Sequence, residues 1–212
     1  MSTERGAPIE QRAGWSVAVI AATGPSFDWP QARTIMEARE LERCRVIAVN
    51  DNYLPLNGAD VLYACDEKWW NLHAQQVRAL GFAGELWTQD LPSAQRYRLN
   101  YVASEIRPGL TPSRNLLHGG GNGGYQAINL AYLFGARKIV LAGFDMQRTG
   151  GQAHWFGEHP KPLSRSHPYS TWIERYRQLA IDCAAAGLDV VNCTTQTALH
   201  AFRRGQLDVE LA

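Results

Sequence analysis

Neither sign of charge dominates this chain. Lys and Arg total 21 and Asp and Glu total 20 over 212 residues, a formal net charge of +1. That balance argues against a dedicated duplex-DNA binder, which carries an obvious basic excess. Cysteine is scarce, four in all, and Cys44, Cys65, Cys183 and Cys193 form no C-x-x-C pair and no zinc-type spacing with histidine. No apolar run approaches the roughly 20 residues of a membrane span. The polar opening, residues 1–14, lacks the apolar core of a signal peptide. The expectation is a soluble, reduced, cytoplasmic protein. Familiar catalytic signatures are missing as well: no Gly-Lys-Ser/Thr follows a glycine loop, no G-x-S-x-G elbow occurs, and no H-E-x-x-H is present.

What remains is an apolar content of 45%, enough for one domain that buries roughly 70% of its unfolded surface without disulfides or a structural metal. Residues 1–14 read as a flexible polar arm, and 15–212 as a single α/β domain. Short, nearly continuous apolar runs at 15–22, 45–50, 61–65, 138–142 and 189–192 read as buried strands of a parallel sheet. Helical patterns are expected over 30–41, 67–80, 125–134 and 169–186, with a short helix over 197–204. A weaker strand is expected at 85–88 and another near 97–103. The stretch 146–168, rich in Gly, His and Pro, reads as a lid loop. Strands alternating with helices imply a Rossmann-like α/β fold with a doubly wound, mostly parallel sheet.

In such sheets ligands bind beyond the carboxyl ends of the strands. That rule picks out Gly24, Pro25 and Ser26 after the first run, Asn50 and Asp51 after the second, Asp66 after the third, and Asp145 after the run 138–142. Turn chemistry alone favours the same residue types. The run Gly119-Gly120-Gly121-Asn122-Gly123-Gly124 leads into a helix. Glycines let backbone approach a ligand, and the first helical amides have no internal partner, which suits phosphate. The lid carries His154 and His159, candidates for a general base or acid.

These segments, "VIAATGPSFD", "VIAVND", "VLYACDEKWW", "GGGNGGYQAINLAYLFGARKIVLAGFDMQ" and "HWFGEHP", resemble a group of short proteins common in tailed phages and prophages. That group is similar to the bacterial lipooligosaccharide sialyltransferases and to the archaeal 6-hydroxymethylpterin pyrophosphokinase-like family. The first likeness implies a nucleotide-sugar donor contacted by Gly24, Pro25, Ser26, Asn50, Asn122, Gly123 and Gly124. It also implies that His159, or else His154, deprotonates the acceptor hydroxyl. Apart from that likeness, the helix amides with Arg148 are candidates to steady the departing phosphate. This sequence departs from that pattern: Gly123 stands where a Ser is expected, and Gln147 and Arg148 stand where tyrosines are expected. The second likeness implies ATP and magnesium, with Asp66 or Asp145 as ligands. The expected partners are therefore a nucleotide or nucleotide-sugar and an acceptor that the sequence does not name; a homo-oligomer and a non-catalytic nucleotide-binding phage protein both stay open.

Overall fold

The computed structural model describes residues 6–161, 163 and 166–212. Their elements run β1 (Val17–Ala21), α1 (Trp29–Glu40), β2 (Arg45–Val49), β3 (Val61–Tyr63), α2 (Glu67–Ala79), β4 (Glu85–Thr88), α3 (Leu91–Tyr97), β5 (Asn100–Tyr101), β6 (Ala103–Glu105), β7 (Leu116–His118), α4 (Gly123–Phe134), β8 (Lys138–Ala142), α5 (Tyr169–Ala185), β9 (Asp189–Asn192), β10 (Arg203–Arg204) and α6 (Leu207–Glu210). Eight strands form one sheet in the order β10-β9-β8-β1-β2-β3-β4-β5, and β6 pairs with β7 in a second. Each pairing is parallel. The fold is a Rossmann-like α/β sheet flanked by helices. The chain winds outward from β1 through β5, then returns to β8 on the other side of β1, so the order reverses between β1 and β8.

Both sheet faces are covered, which is why the strands read as unbroken apolar runs. Ala18, Ile20, Ile47, Ile139 and Leu141 face one core with Tyr125, Ile128 and Leu130 of α4 and Tyr176 and Leu179 of α5. Their neighbours Val19, Ala21, Val46, Ala48 and Val140 face the opposite core with Ile35 of α1 and Trp69, Trp70 and Val77 of α2. Ile20, Ile35, Ile47 and Leu141 are wholly buried, each contributing roughly 1.5–3 kcal/mol against exposure. Among the described residues, no helix is long and apolar enough to cross a membrane.

Helix starts follow their caps. The Asp28 carboxylate accepts the Gln31 N–H at 2.9 Å, so α1 begins at Trp29 with Pro30 in its first turn. Asp28 is thus the cap of that helix. The Asn122 side chain accepts the Tyr125 N–H at 2.9 Å and opens α4; Gly135, at φ 109°, closes it.

Two expectations differ from the structure. From Gly6 onward the N-terminal segment lies on the body of the protein. Ile9 is buried, the Arg12 N–H donates to the Phe134 carbonyl at 2.8 Å, and the Arg12 guanidinium sits 3.8 Å over the Phe134 ring. Residues 1–5 of the expected arm lie outside the described residues, as do 162, 164 and 165 of the expected lid. The helix expected over 197–204 is not one, because its polar groups bond to strand ends instead. Thr197 Oγ1 donates to the Phe144 carbonyl at 2.6 Å, the Ala198 N–H to the Asp145 carbonyl at 2.8 Å, and Asn192 Nδ2 to the Leu199 carbonyl at 3.1 Å. The chain then pairs as β10.

Candidate functional site

A cavity of 380 Å³ opens at the carboxyl ends of β1, β2, β3 and β8, across the point where strand order reverses. Thr23, Gly24 and Pro25 reach it from β1, Asn50 from β2, Asp66 from β3 and Asp145 from β8; Asn122, Gly123 and Gly124 open α4 into it, and the lid supplies His154 and His159. Two strand ends are bent to reach it. Asn50 and Met146, neither a glycine, hold left-handed φ angles of 52° and 50°, a backbone state costing of order 1–3 kcal/mol that clusters at binding sites.

The glycine turn before α4 is open to a ligand. Gly120 and Gly121 adopt φ of 53° and 95°, and Arg175 Nη1 braces the turn by donating to the Gly120 carbonyl at 3.0 Å. Asn122 Oδ1 accepts from the Tyr125 N–H and, at 3.1 Å, from the Tyr176 hydroxyl. Its oxygen is therefore fixed inward, and Nδ2, buried and unpartnered among the described residues, is the free donor. The N–H groups of Gly123 and Gly124, in the first turn of α4, meet no acceptor among those residues.

The Gly-Pro-Ser turn is closed on itself. The Gly24 N–H donates to the Gly143 carbonyl at 2.9 Å. The Asp145 carboxylate accepts the Ser26 N–H at 3.0 Å, the Ser26 hydroxyl at 2.9 Å and the Thr149 hydroxyl at 2.9 Å. Asp145 is 1% exposed. Burial raises its pKa, and the Ser26 and Thr149 hydrogen bonds oppose that rise. Its position lets it tie two loops together.

The lid histidines sit in contact with one another. His154 and His159 have ring centroids 4.4 Å apart, and His167 lies 5.3 Å from His154. Burial pushes His154 down to about 4 and lowers His159 and His167 as well. Their rings are thus largely neutral near pH 7, and burial makes them weaker proton acceptors than a free imidazole. His154 Nε2, His159 Nδ1 and Asn50 Oδ1 are buried without a partner among the described residues. No Lys or Arg among the described residues lines the cavity.

The structure brings together Gly24, Pro25, Asn50, Asp66, Asn122, Gly123, Gly124, Asp145, His154 and His159 around one space. It leaves three sequence candidates off the cavity wall. Ser26 is turned to Asp145. Asp51 is buried behind the wall, accepting the Trp69 indole N–H at 3.0 Å and lying 3.7 Å from His73 Nε2. Arg148 is half-exposed and turned to Glu158 and to the Gly151 carbonyl, its Nε donating at 3.0 Å. Sequence reasoning missed Gln89, Gln126 and His167 on the wall. Gln89 follows β4, so the strand-end rule applied to that strand would have found it. Gln126 sits in the first turn after the glycine run. It accepts the Tyr63 hydroxyl at 2.6 Å and donates to Gln89 at 2.9 Å. Among the described residues no group of three or more His, Cys, Asp or Glu is placed to hold a metal ion.

No protein-family model matches the chain, and no curated protein matches it.

Proposed function

We propose that this protein is a nucleotide-dependent transferase, specifically a sialyltransferase-like glycosyltransferase that uses a nucleotide-sugar donor. One observation carries the reading: glycines with unspent amides and histidines with unpartnered ring nitrogens line the same cavity. The Gly123 and Gly124 N–H groups and Asn122 Nδ2 form a donor cluster at a helix N-terminus, the usual seat of a phosphate. His154 and His159 stand on the lid side of the same space. With the phosphate on α4, the donor's anomeric carbon faces the lid, and a histidine takes the acceptor hydroxyl proton as the new glycosidic bond forms. The amides stabilise the phosphate as it departs. Arg148 is held by Glu158 and has no place in this arrangement unless that ion pair breaks.

The second reading, a magnesium- and ATP-dependent pyrophosphokinase, draws on Asp66 at the cavity wall, because magnesium on phosphates needs only one or two carboxylates. It is weakened by the three hydrogen bonds that engage Asp145. A thermal-shift screen with CMP, CDP, UDP, GDP, ADP and their sugar conjugates, with and without magnesium, separates the readings. A ligand at about 100 times its Kd adds about 2.7 kcal/mol of apparent stability. Stabilisation by one nucleotide family without magnesium, with sugar release, supports the transferase. Magnesium-dependent stabilisation supports the kinase, and stabilisation without turnover supports a binding protein. A flat panel sinks all three.

A further inference from the structure

Helix α5 brings three side chains to the glycine turn of α4, and two of them are spent on it. Arg175 Nη1 donates to the Gly120 carbonyl at 3.0 Å, and the Tyr176 hydroxyl donates to Asn122 Oδ1 at 3.1 Å. Trp172, one turn earlier on the same helix, borders Gly121: a Cβ added there would lie 3.0 Å from its Nε1. Its indole N–H has no hydrogen-bond partner among the described residues. Other indoles near the cavity do have one. Trp69 donates to Asp51 Oδ2 at 3.0 Å, and Trp155 anchors the lid by donating to Asn52 Oδ1 at 2.7 Å. The Tyr169 hydroxyl, at the start of α5, is likewise without a partner among the described residues.

Both rings line the cavity together with His167. His167 and Tyr169 lie nearly parallel, 5.4 Å apart at 13°. Trp172 stands across both, at 83° and 85°, with centroids 6.0 and 5.8 Å away. All three are partly exposed, whereas Tyr176, a turn further along α5, is wholly buried. Rings that served packing alone would be covered as Tyr176 is. Planes at right angles form a corner that a flat molecule fills, stacked on one ring with its edge toward another. The Gln126 carboxamide, elsewhere on the wall, is by contrast spent. It accepts the Tyr63 hydroxyl at 2.6 Å, and its Nε2 donates to Gln89 at 2.9 Å and to Ser104 at 3.3 Å.

We infer that Tyr169 and Trp172 form the subsite for the nucleobase, with the Trp172 indole as its stacking platform. This rests on the nucleotide-binding half of the transferase reading. A phosphate on the Gly123 and Gly124 amides holds its nucleoside beside the turn that Trp172 borders. A base is flat, uncharged and apolar on both faces, and its ring nitrogens or carbonyl oxygens accept the indole N–H. A sugar in the same corner would leave most of its hydroxyls unmet by the indole N–H and the Tyr169 hydroxyl. Stacking suits every base, so the corner sets the class of ligand and leaves the choice of base to other groups.

Titration calorimetry on the full chain tests this with CMP, UMP, GMP and AMP against ribose 5-phosphate, which has the sugar and phosphate without the base. The wild type is expected to bind at least one nucleotide about tenfold tighter than ribose 5-phosphate, a factor that one stacked ring supplies. Trp172→Ala is expected to remove that preference and leave the ribose 5-phosphate Kd unchanged. Trp172→Phe keeps a ring and most of the preference, and Tyr169→Ala weakens it. Melting curves without ligand show whether each variant folds. A wild type with no preference overturns the inference. So does a Trp172→Ala variant that keeps the preference, or that weakens nucleotide and ribose 5-phosphate equally. Where Trp172→Ala does not fold, the wild-type preference and Tyr169→Ala decide. Nucleotide binding through Trp172 with no sugar released from any nucleotide-sugar leaves the subsite standing and sinks the transferase. A wild type that binds none of these phosphates sinks both.

Discussion

Two turns at the same rim share a glycine-rich composition and do opposite things. The turn through Gly24, Pro25 and Ser26 spends its polar groups on the protein: its amides and hydroxyl go to Gly143 and Asp145. The turn through Asn122, Gly123 and Gly124 leaves Asn122 Nδ2 and the two glycine amides unspent among the described residues. Packing demands glycine at Gly24 and not at Gly123. At Gly24 a Cβ would lie 2.2 Å from Asp145 Oδ1 and 2.4 Å from the Gly143 carbonyl, so glycine there permits packing. At Gly123 a Cβ would meet only Val49 at 3.4 Å and Cys65 at 3.7 Å, ordinary contact. The comparison teaches that a glycine beside a cavity is evidence of a ligand only when its amide is unspent.

Substitution can break that contrast. Gly24→Ala is expected to have the largest effect, a loss of about 3 kcal/mol or more from overpacking against backbone and a buried carboxylate, read as a lower urea midpoint. Acid comes next. Unfolded, His154 takes its proton near 6.5; folded, it resists until about 4. Above 6.5 the ring is neutral in both states. Between 6.5 and 4 the unfolded chain binds the proton first, so about 3 kcal/mol of stability is lost, and below 4 this group adds no further dependence. His159 and His167 are shifted in the same direction. Urea unfolding at a series of pH values checks this, and His154→Asn is expected to flatten the slope. Ser26→Ala, which removes one hydrogen bond to a buried carboxylate, is expected to cost about 2 kcal/mol while leaving nucleotide affinity unchanged by titration calorimetry. Gly123→Ala is expected to move stability least, by less than about 1 kcal/mol, yet to weaken phosphate or nucleotide binding about tenfold, or 1.4 kcal/mol. If Gly123→Ala left binding intact and Ser26→Ala weakened it, the roles assigned to the two turns would be reversed.

The difference between these turns was not legible in the sequence. What closes the first is Asp145, 119 residues away from Ser26, and no local pattern announces so distant a partner. The sheet was legible, because β1, β2 and β8 are buried on both faces and read as continuous apolar runs. The helix α3 was not, although Asp90 accepts the Ser93 N–H at 2.9 Å and Pro92 sits in its first turn. With seven residues it is too short to show a helical period. The strands β5, β6 and β7, of two or three residues, are shorter still. His154 and His159 were legible as histidines of a Gly- and Pro-rich loop, and Thr23 as part of the turn after the first run; that Thr23 meets His154, 131 residues away, was not.

The Trp155 anchor has an optical consequence. Its indole ring lies 6.2 Å from that of Trp29, edge to face at 77°, with its N–H held by a carboxamide. Two transition dipoles at that range couple, and an indole released from a hydrogen bond into water emits at longer wavelength. Lifting the lid would therefore change the near-ultraviolet circular dichroism and the fluorescence together. The loop carries its own chromophore, so any movement of it can be followed by light on the unlabelled chain.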